Sequence, residues 1–234
     1  MIKKIVSLGL LLAGSAALAQ PAGAPVSPYA PLVDKPTCTR AELVAAADAY
    51  VAGQRKGDIS GLPLDPKARF LENMANVDKD KGLWNTALKI DQSRSFHDTK
   101  RCKSFTEVIV TDATHPYVIG TRLYMDKGKI IRVDSLVTDK GDWLFNATAY
   151  LKFSKDESWA PVLKYQHTEQ AEMIRGANAY LDFFSDKFTS VPWGQPCARL
   201  EGGAYTTSTP NTVIKGVVRI SAGKVIANKI AVAP

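Results

Sequence analysis

Three carboxylates stand where a proton could be moved. Glu72, followed by Asn73, closes the strand-like run Arg69-Phe70-Leu71. Asp98 ends a Ser-rich stretch that also holds Arg94, Phe96 and His97. Asp134 and Arg122 lie at nearly equal distances from the turn Asp126-Lys127-Gly128, so a hairpin there sets them opposite one another, with Tyr124 on the same face. Cofactor-free proton transfer needs such a group in an apolar cavity that moves its pKa toward neutrality. Strand neighbours face opposite sides, so His97 and Asp98 point apart, while Arg94, Phe96 and Asp98 share a face. Inside a cavity Asp134 would be a base held by Arg122, and Tyr124 a donor to an oxyanion. Outside it, the pair would be a surface ion pair worth under about 1 kcal/mol.

Tyr50 and Tyr180 sit on helical stripes, where a phenol either packs or faces a cavity as a proton donor. Trp84, Trp143 and Trp193 offer aromatic walls or plain core. Tyr50, Asn73, Trp84, Phe96 and Trp143 are therefore the candidate substrate contacts. His115 precedes Pro116 and reads as a turn residue. There is no G-x-S-x-G, Walker-type or dinucleotide motif and no C-x-x-C, and the three histidines are not grouped. No cofactor and no metal is expected. Of Cys38, Cys102 and Cys197, the expected disulfide joins Cys38 to Cys102, leaving Cys197 over.

The elements that must position these groups begin after an address. Lys3 and Lys4, an apolar run over 5–12 and Ala17-Leu18-Ala19 read as a signal peptide over 1–19. The run is about half the ~20 residues that span a bilayer. Residues 20–37 form a Pro-rich leader. The expected product is exported to the periplasm or secreted, with no membrane segment after cleavage. Loss of Lys3 and Lys4 lowers the formal charge of +7 by two, to +5. The remaining cations are scattered, so no nucleic-acid partner is expected.

The chain of 234 residues, 45% hydrophobic and 23% charged, carries an internal repeat. Ala41-Glu42-Leu43-Val44-Ala45-Ala46-Ala47-Asp48-Ala49-Tyr50 matches Ala171-Glu172-Met173-Ile174-Arg175-Gly176-Ala177-Asn178-Ala179-Tyr180 at five of ten positions. The same offset of 130 carries Pro66 to Pro196 and Ala68-Arg69 to Ala198-Arg199. Each copy opens on an amphipathic helix. Leu43, Ala47, Tyr50, Val51 and Gln54 line the first, with Thr39 and Glu42 as a capping box and Gly57 at the end. Met173, Ala177, Tyr180, Leu181 and Phe184 line the second. Strands are expected over 69–73, 93–98, 105–111, 117–125 and 129–138, then 213–220 and 224–232. Gly128-Lys129-Ile130-Ile131 and Gly223-Lys224-Val225-Ile226 match at an offset of 95, so the second copy is about 35 residues shorter. The expected units are 38–165 and a shortened copy over 166–234. The expected fold class is α+β, a helix on a curved antiparallel sheet enclosing a cone-shaped pocket.

The run Ala46-Ala47-Asp48-Ala49-Tyr50, with Gly57-Asp58 and Ala68-Arg69-Phe70-Leu71-Glu72-Asn73, resembles the nuclear transport factor 2-like superfamily and its SnoaL-like branch. Phe105-Thr106-Glu107-Val108-Ile109-Val110-Thr111-Asp112, His115-Pro116-Tyr117-Val118-Ile119-Gly120-Thr121, 137–147 and 191–205 resemble a family of exported proteins of undefined function, frequent in fungi and found in bacteria. That family usually continues with a further Cys able to pair with the residue at Cys197, and Thr206 to Asn211 has none. The resemblance implies a cofactor-independent lyase or isomerase acting on a small, largely apolar, aromatic substrate, such as a lignin-derived one. It equally allows a non-catalytic module that binds a small hydrophobic ligand. It also allows a homo-oligomer formed through the sheet.

Overall fold

A computed structural model describes residues 35–193, 197–206, 216–221 and 224–229. The signal peptide, most of the leader and Gly223 lie outside the described residues, as does the Cys197 side chain. Helix α1 (Arg40–Lys56) forms where the capping box asks for it. Thr39 accepts from the Glu42 N–H at 3.2 Å, and the Glu42 carboxylate accepts from the Thr39 N–H at 2.6 Å. Gly57 ends the helix at φ 68°, a left-handed cap that suits glycine. The expected stripe is its buried face, with Leu43, Ala47, Tyr50 and Gln54 all enclosed.

Six strands form one mixed sheet in the order β2-β1-β6-β5-β4-β3. They are β1 (Leu64–Glu72), β2 (Ala75–Asn76), β3 (Gln92–Asp98), β4 (Lys103–Val110), β5 (Tyr117–Asp126) and β6 (Lys129–Thr138). The β5–β6 hairpin turns at Lys127-Gly128, both at positive φ, as its Asp-Lys-Gly turn suggested. The β1–β6 pair is parallel and the others are antiparallel. Helix α1 packs on one face over Val108, Ile119, Leu123 and Val133, with Phe70 and Trp84 completing the core.

The other face is covered as well. Helix α2 (Ala147–Asp156), capped by Asn146, packs Tyr150 and Ala147 over Ile109 and Val118. No element was expected there, although Asn146 followed by Ala147, Tyr150, Leu151 and Ser154 is a capped helical pattern. A sheet covered on both faces explains why β4 reads Val-Ile-Val without alternation.

Helix α3 (Gln170–Asp182) forms at the repeated segment. Its stripe is only partly covered among the described residues. Tyr180 is buried against the Phe184 and Trp193 rings, whereas Met173 and Leu181 are exposed, so α3 buries one ring in an aromatic cluster rather than a full stripe. A second sheet has the order β10-β9-β7-β8, from β7 (Cys197–Glu201), β8 (Ala204–Tyr205), β9 (Gly216–Ser221) and β10 (Lys224–Lys229). The β7–β8 hairpin repeats the tight turn of β1–β2, and both β1 and β7 take a parallel neighbour. The orders then part. The neighbour of β1 is the second strand of its hairpin, and the neighbour of β7 is the first. The turn Gly202-Gly203 seats against the start of α2. A Cβ on Gly202 would overlap the Leu144 carbonyl, and one on Gly203 the Asn146 carbonyl.

Candidate functional site

Register sorts the sheet's side chains into two faces. On the face under α1, Ser95, Thr106, Thr121, Ser135 and Glu72 stand in one row across β3, β4, β5, β6 and β1. The rows on either side are mainly aliphatic, so this is a polar belt through an apolar core. Ser95 and Thr106 hydroxyls are 2.9 Å apart and those of Thr121 and Ser135 2.7 Å apart. Tyr50 descends from α1 and places its phenol 2.6 Å from the Thr121 hydroxyl. Gln54 gives both amide hydrogens to the Leu83 and Thr86 carbonyls, which leaves its Oε1 to accept from Tyr50 at 3.3 Å. Burial, joined by the nearby Glu72 charge, pushes the Tyr50 phenol up to about 12, against the lowering effect of its Thr121 and Ser135 hydrogen bonds. Tyr50 is thus a neutral hydroxyl at physiological pH.

Glu72 ends the row. Its Oε2 accepts from the Leu83 N–H at 2.7 Å, which fixes the carboxylate against the 3-10 turn Leu83–Asn85. Its other oxygen accepts no hydrogen bond among the described residues, and the side chain is half-buried. A fixed carboxylate with one free oxygen, beside a neutral phenol and aliphatic walls, can take a proton and have the resulting negative charge met by hydroxyls.

His97 lies on the same face, one row away. Its Nδ1 is 2.9 Å from the Ser104 hydroxyl, which donates to the Leu43 carbonyl at 3.2 Å. Ser104 has one hydrogen, so Nδ1–H is the donor and Nε2 carries the lone pair. Burial, and then Arg40, pulls the His97 pKa below 6.5, against Asp48. With a lowered folded pKa, the unfolded chain binds more protons, so stability falls as pH drops below 6.5 toward the folded value. Acidification to about pH 5 is expected to lower the urea midpoint more in the wild type than in His97→Gln. Equal losses would remove His97 from that account.

The remaining acid/base candidates face the other way. Arg94 and Phe96 lie on the outer face, with the Trp159 ring 3.6 Å from the Arg94 guanidinium and 5.7 Å from the Phe96 ring. Asp98 accepts from the Arg101 N–H and from Gln170, a capping role at the end of β3. Arg122 stands opposite Asp134, as the hairpin arithmetic required, and both lie on the face away from α1. Asp134 is held instead by Arg132 in a two-pronged pair at 2.6 and 2.7 Å. Asn73 is a turn residue at φ 48° that accepts from the Val137 N–H. Trp84 is core, and Trp143 is exposed beside Glu201. The structure sets Glu72 and Tyr50 along one row, whereas His97 stands on β3, separated from Glu72 on β1 by β6, β5 and β4.

Thr121 and Ser135 escaped the sequence reading, although the arithmetic that pairs Arg122 with Asp134 also pairs them. Glu107, a buried acid within an apolar run, escaped it too. Among the described residues no group of three His, Cys, Asp or Glu could hold a metal, and no helix is long and apolar enough to cross a membrane. Cys38 and Cys102 are bonded.

A family described as a domain of unknown function, DUF8021, matches residues 166–230. No curated protein matches the chain. Solved structures similar to it include an NTF-2 like protein of unknown function from Burkholderia xenovorans LB400, 13% identical with a TM-score of 0.34, over 53% of this chain and 96% of that one. AusH from Aspergillus nidulans is 14% identical with a TM-score of 0.36, over 47% and 90%. The de novo designed NTF2 fold protein NT-9 is 15% identical with a TM-score of 0.32, over 51% and 95%.

Proposed function

We propose that this chain is an exported, cofactor-independent lyase or isomerase whose site is the inner polar row, with Glu72 as the base. The observation that carries the reading is the Glu72 carboxylate, fixed by the Leu83 N–H with one oxygen free, at the end of a hydroxyl row that includes Tyr50. Glu72 takes a proton from a carbon next to a carbonyl, and the electron pair moves onto the carbonyl oxygen. For hydroxyls of the row to meet that oxyanion the core must open beside Glu72, because Tyr50, Thr121 and Ser135 are enclosed. Return of the proton to a different carbon gives isomerisation, and loss of a β-leaving group gives elimination. A small aromatic substrate, of which a lignin-derived compound is one class, is the proposed partner of that base. Tyr50 and Thr121 are closed to solvent, so the half-buried Glu72 is the point of entry. The second reading is an exported module that binds a small hydrophobic ligand without turnover.

The test is a mass-spectrometric screen of the mature protein against aromatic metabolites for isomerisation or loss of water or formaldehyde. With a confirmed substrate, Glu72→Gln is expected to lower kcat/KM by about 100-fold or more, while Asp98→Asn and Asp134→Asn leave it near the wild-type value. Unchanged turnover in Glu72→Gln would sink the enzyme reading. Saturable ligand binding with no product would establish the module.

A further inference from the structure

On the outer face, away from that row, register sets Lys103, Tyr124 and Arg132 side by side, with Arg122 and Asp134 in the next row. Three cations surround one ring. The Lys103 ammonium and the Arg132 guanidinium each lie 4.7 Å from the centre of the Tyr124 ring, and the Arg122 guanidinium 5.6 Å. The Arg132–Asp134 pair forms a floor, with Arg132 buried and both Asp134 oxygens taken by its fork. Lys103, half-buried, and Arg122, exposed, form the rim. The neighbouring Asp98 is engaged by Arg101 and Gln170. Among the described residues four cations therefore face two carboxylates, leaving two positive charges in excess. This crowding has a cost. Burial, and then Arg122, Arg101 and Arg132, pulls the Lys103 pKa down, with Asp98 opposing.

We propose that this cluster is a binding site for a small dianionic oxyanion of the phosphate-ester class, gripped by Lys103 and Arg122 over the Arg132–Asp134 floor. Two excess charges match a dianion. A guanidinium and an ammonium converging from adjacent rows give it forked and point contacts together. The sheet supplies the rigidity, because three of the five groups stand in one register row. The site shares no residue with the inner row, so it stands whether or not Glu72 acts as a base.

Titration calorimetry of the mature protein with inorganic phosphate, at fixed ionic strength, tests it. Saturable 1:1 binding is expected, with benzoate, a monoanion, binding about tenfold more weakly or less. Arg122→Gln, at an exposed position, is expected to weaken phosphate about tenfold, as is Lys103→Gln, while Lys140→Gln in a distant exposed loop leaves it unchanged. Binding that is not saturable, or that survives Arg122→Gln, overturns the site. Benzoate binding as tight as phosphate overturns the dianion class.

Discussion

Replacing Arg94 with methionine is expected to lower the unfolding free energy by about 3–5 kcal/mol, although Arg94 looked like a catalytic residue in the sequence. The reason is Glu107. It is 2% exposed and stands directly opposite Arg94 in the β3–β4 register. Its carboxylate is met by the Arg94 guanidinium at 3.8 Å and by the Tyr150 hydroxyl at 2.8 Å. Arg94 also reaches Ser154 on α2 and lies under the Trp159 ring, so the cluster ties α2 to the sheet. Removing the cation takes a charge partner from a carboxylate that is 2% exposed. Replacing Arg94 and Glu107 together with methionine removes both charges and fills the space, and should recover most of the loss. The remaining deficit, about 1–3 kcal/mol, reflects loss of the hydrogen bond from the Tyr150 hydroxyl to Glu107. Chemical denaturation of the single and double variants checks this. A double variant no more stable than Arg94→Met would show that the charge pair is not the cause.

That contrast shows where the sequence was legible. Local chemistry was read well. The Thr39–Glu42 box, the Gly57 stop and the Asp-Lys-Gly hairpin each rest on neighbouring residues, and each stands where it was expected. The pairing of Arg122 with Asp134 followed from the same hairpin arithmetic. What sequence could not supply was the sign of the face. Period two says that Arg94, Phe96 and Asp98 agree with one another, but not whether they point at α1 or away from it. Amphipathicity normally settles this, and here it fails because both faces are covered. Thr106 and Glu107 are both buried, on opposite sides, under different helices. Helix α2 covers the outer face, and its cue at Asn146 lay inside a segment read only as a motif. Once α2 is missed, the outer face looks free and its polar residues look like a pocket. The row that does lie inside is built mostly of Ser and Thr, which carry no charge to draw attention to them.

Removing the Cys38–Cys102 bond is expected to cost about 4 kcal/mol, from the loop-closure entropy of a separation of 64 residues. For a chain of this size that corresponds to a fall in Tm of about 8–16 °C. The bond joins the residue before the α1 cap to the turn between β3 and β4, where Cys102 sits at φ 49°. It therefore holds the N-terminal end of α1 against the sheet edge that carries His97. Among the described residues the Ser104 hydroxyl bond to the Leu43 carbonyl is the other side-chain hydrogen bond from β4 to that end of the helix, and one hydrogen bond is worth about 1 kcal/mol net. Once the bond is gone, fraying of α1 should start at Arg40 and reach the buried row only at Tyr50, about three turns on. The Cys38→Ala/Cys102→Ala variant, compared with wild type by thermal unfolding, gives the magnitude. Amide exchange gives the order, with the first turn of α1 losing protection and the turn at Tyr50 keeping it. A loss under about 1 kcal/mol would mean that packing of Leu43 and Ala47 holds the helix unaided. A loss near the expected size means that the start of α1 depends on the bond, while the turn that places Tyr50 in the polar row does not.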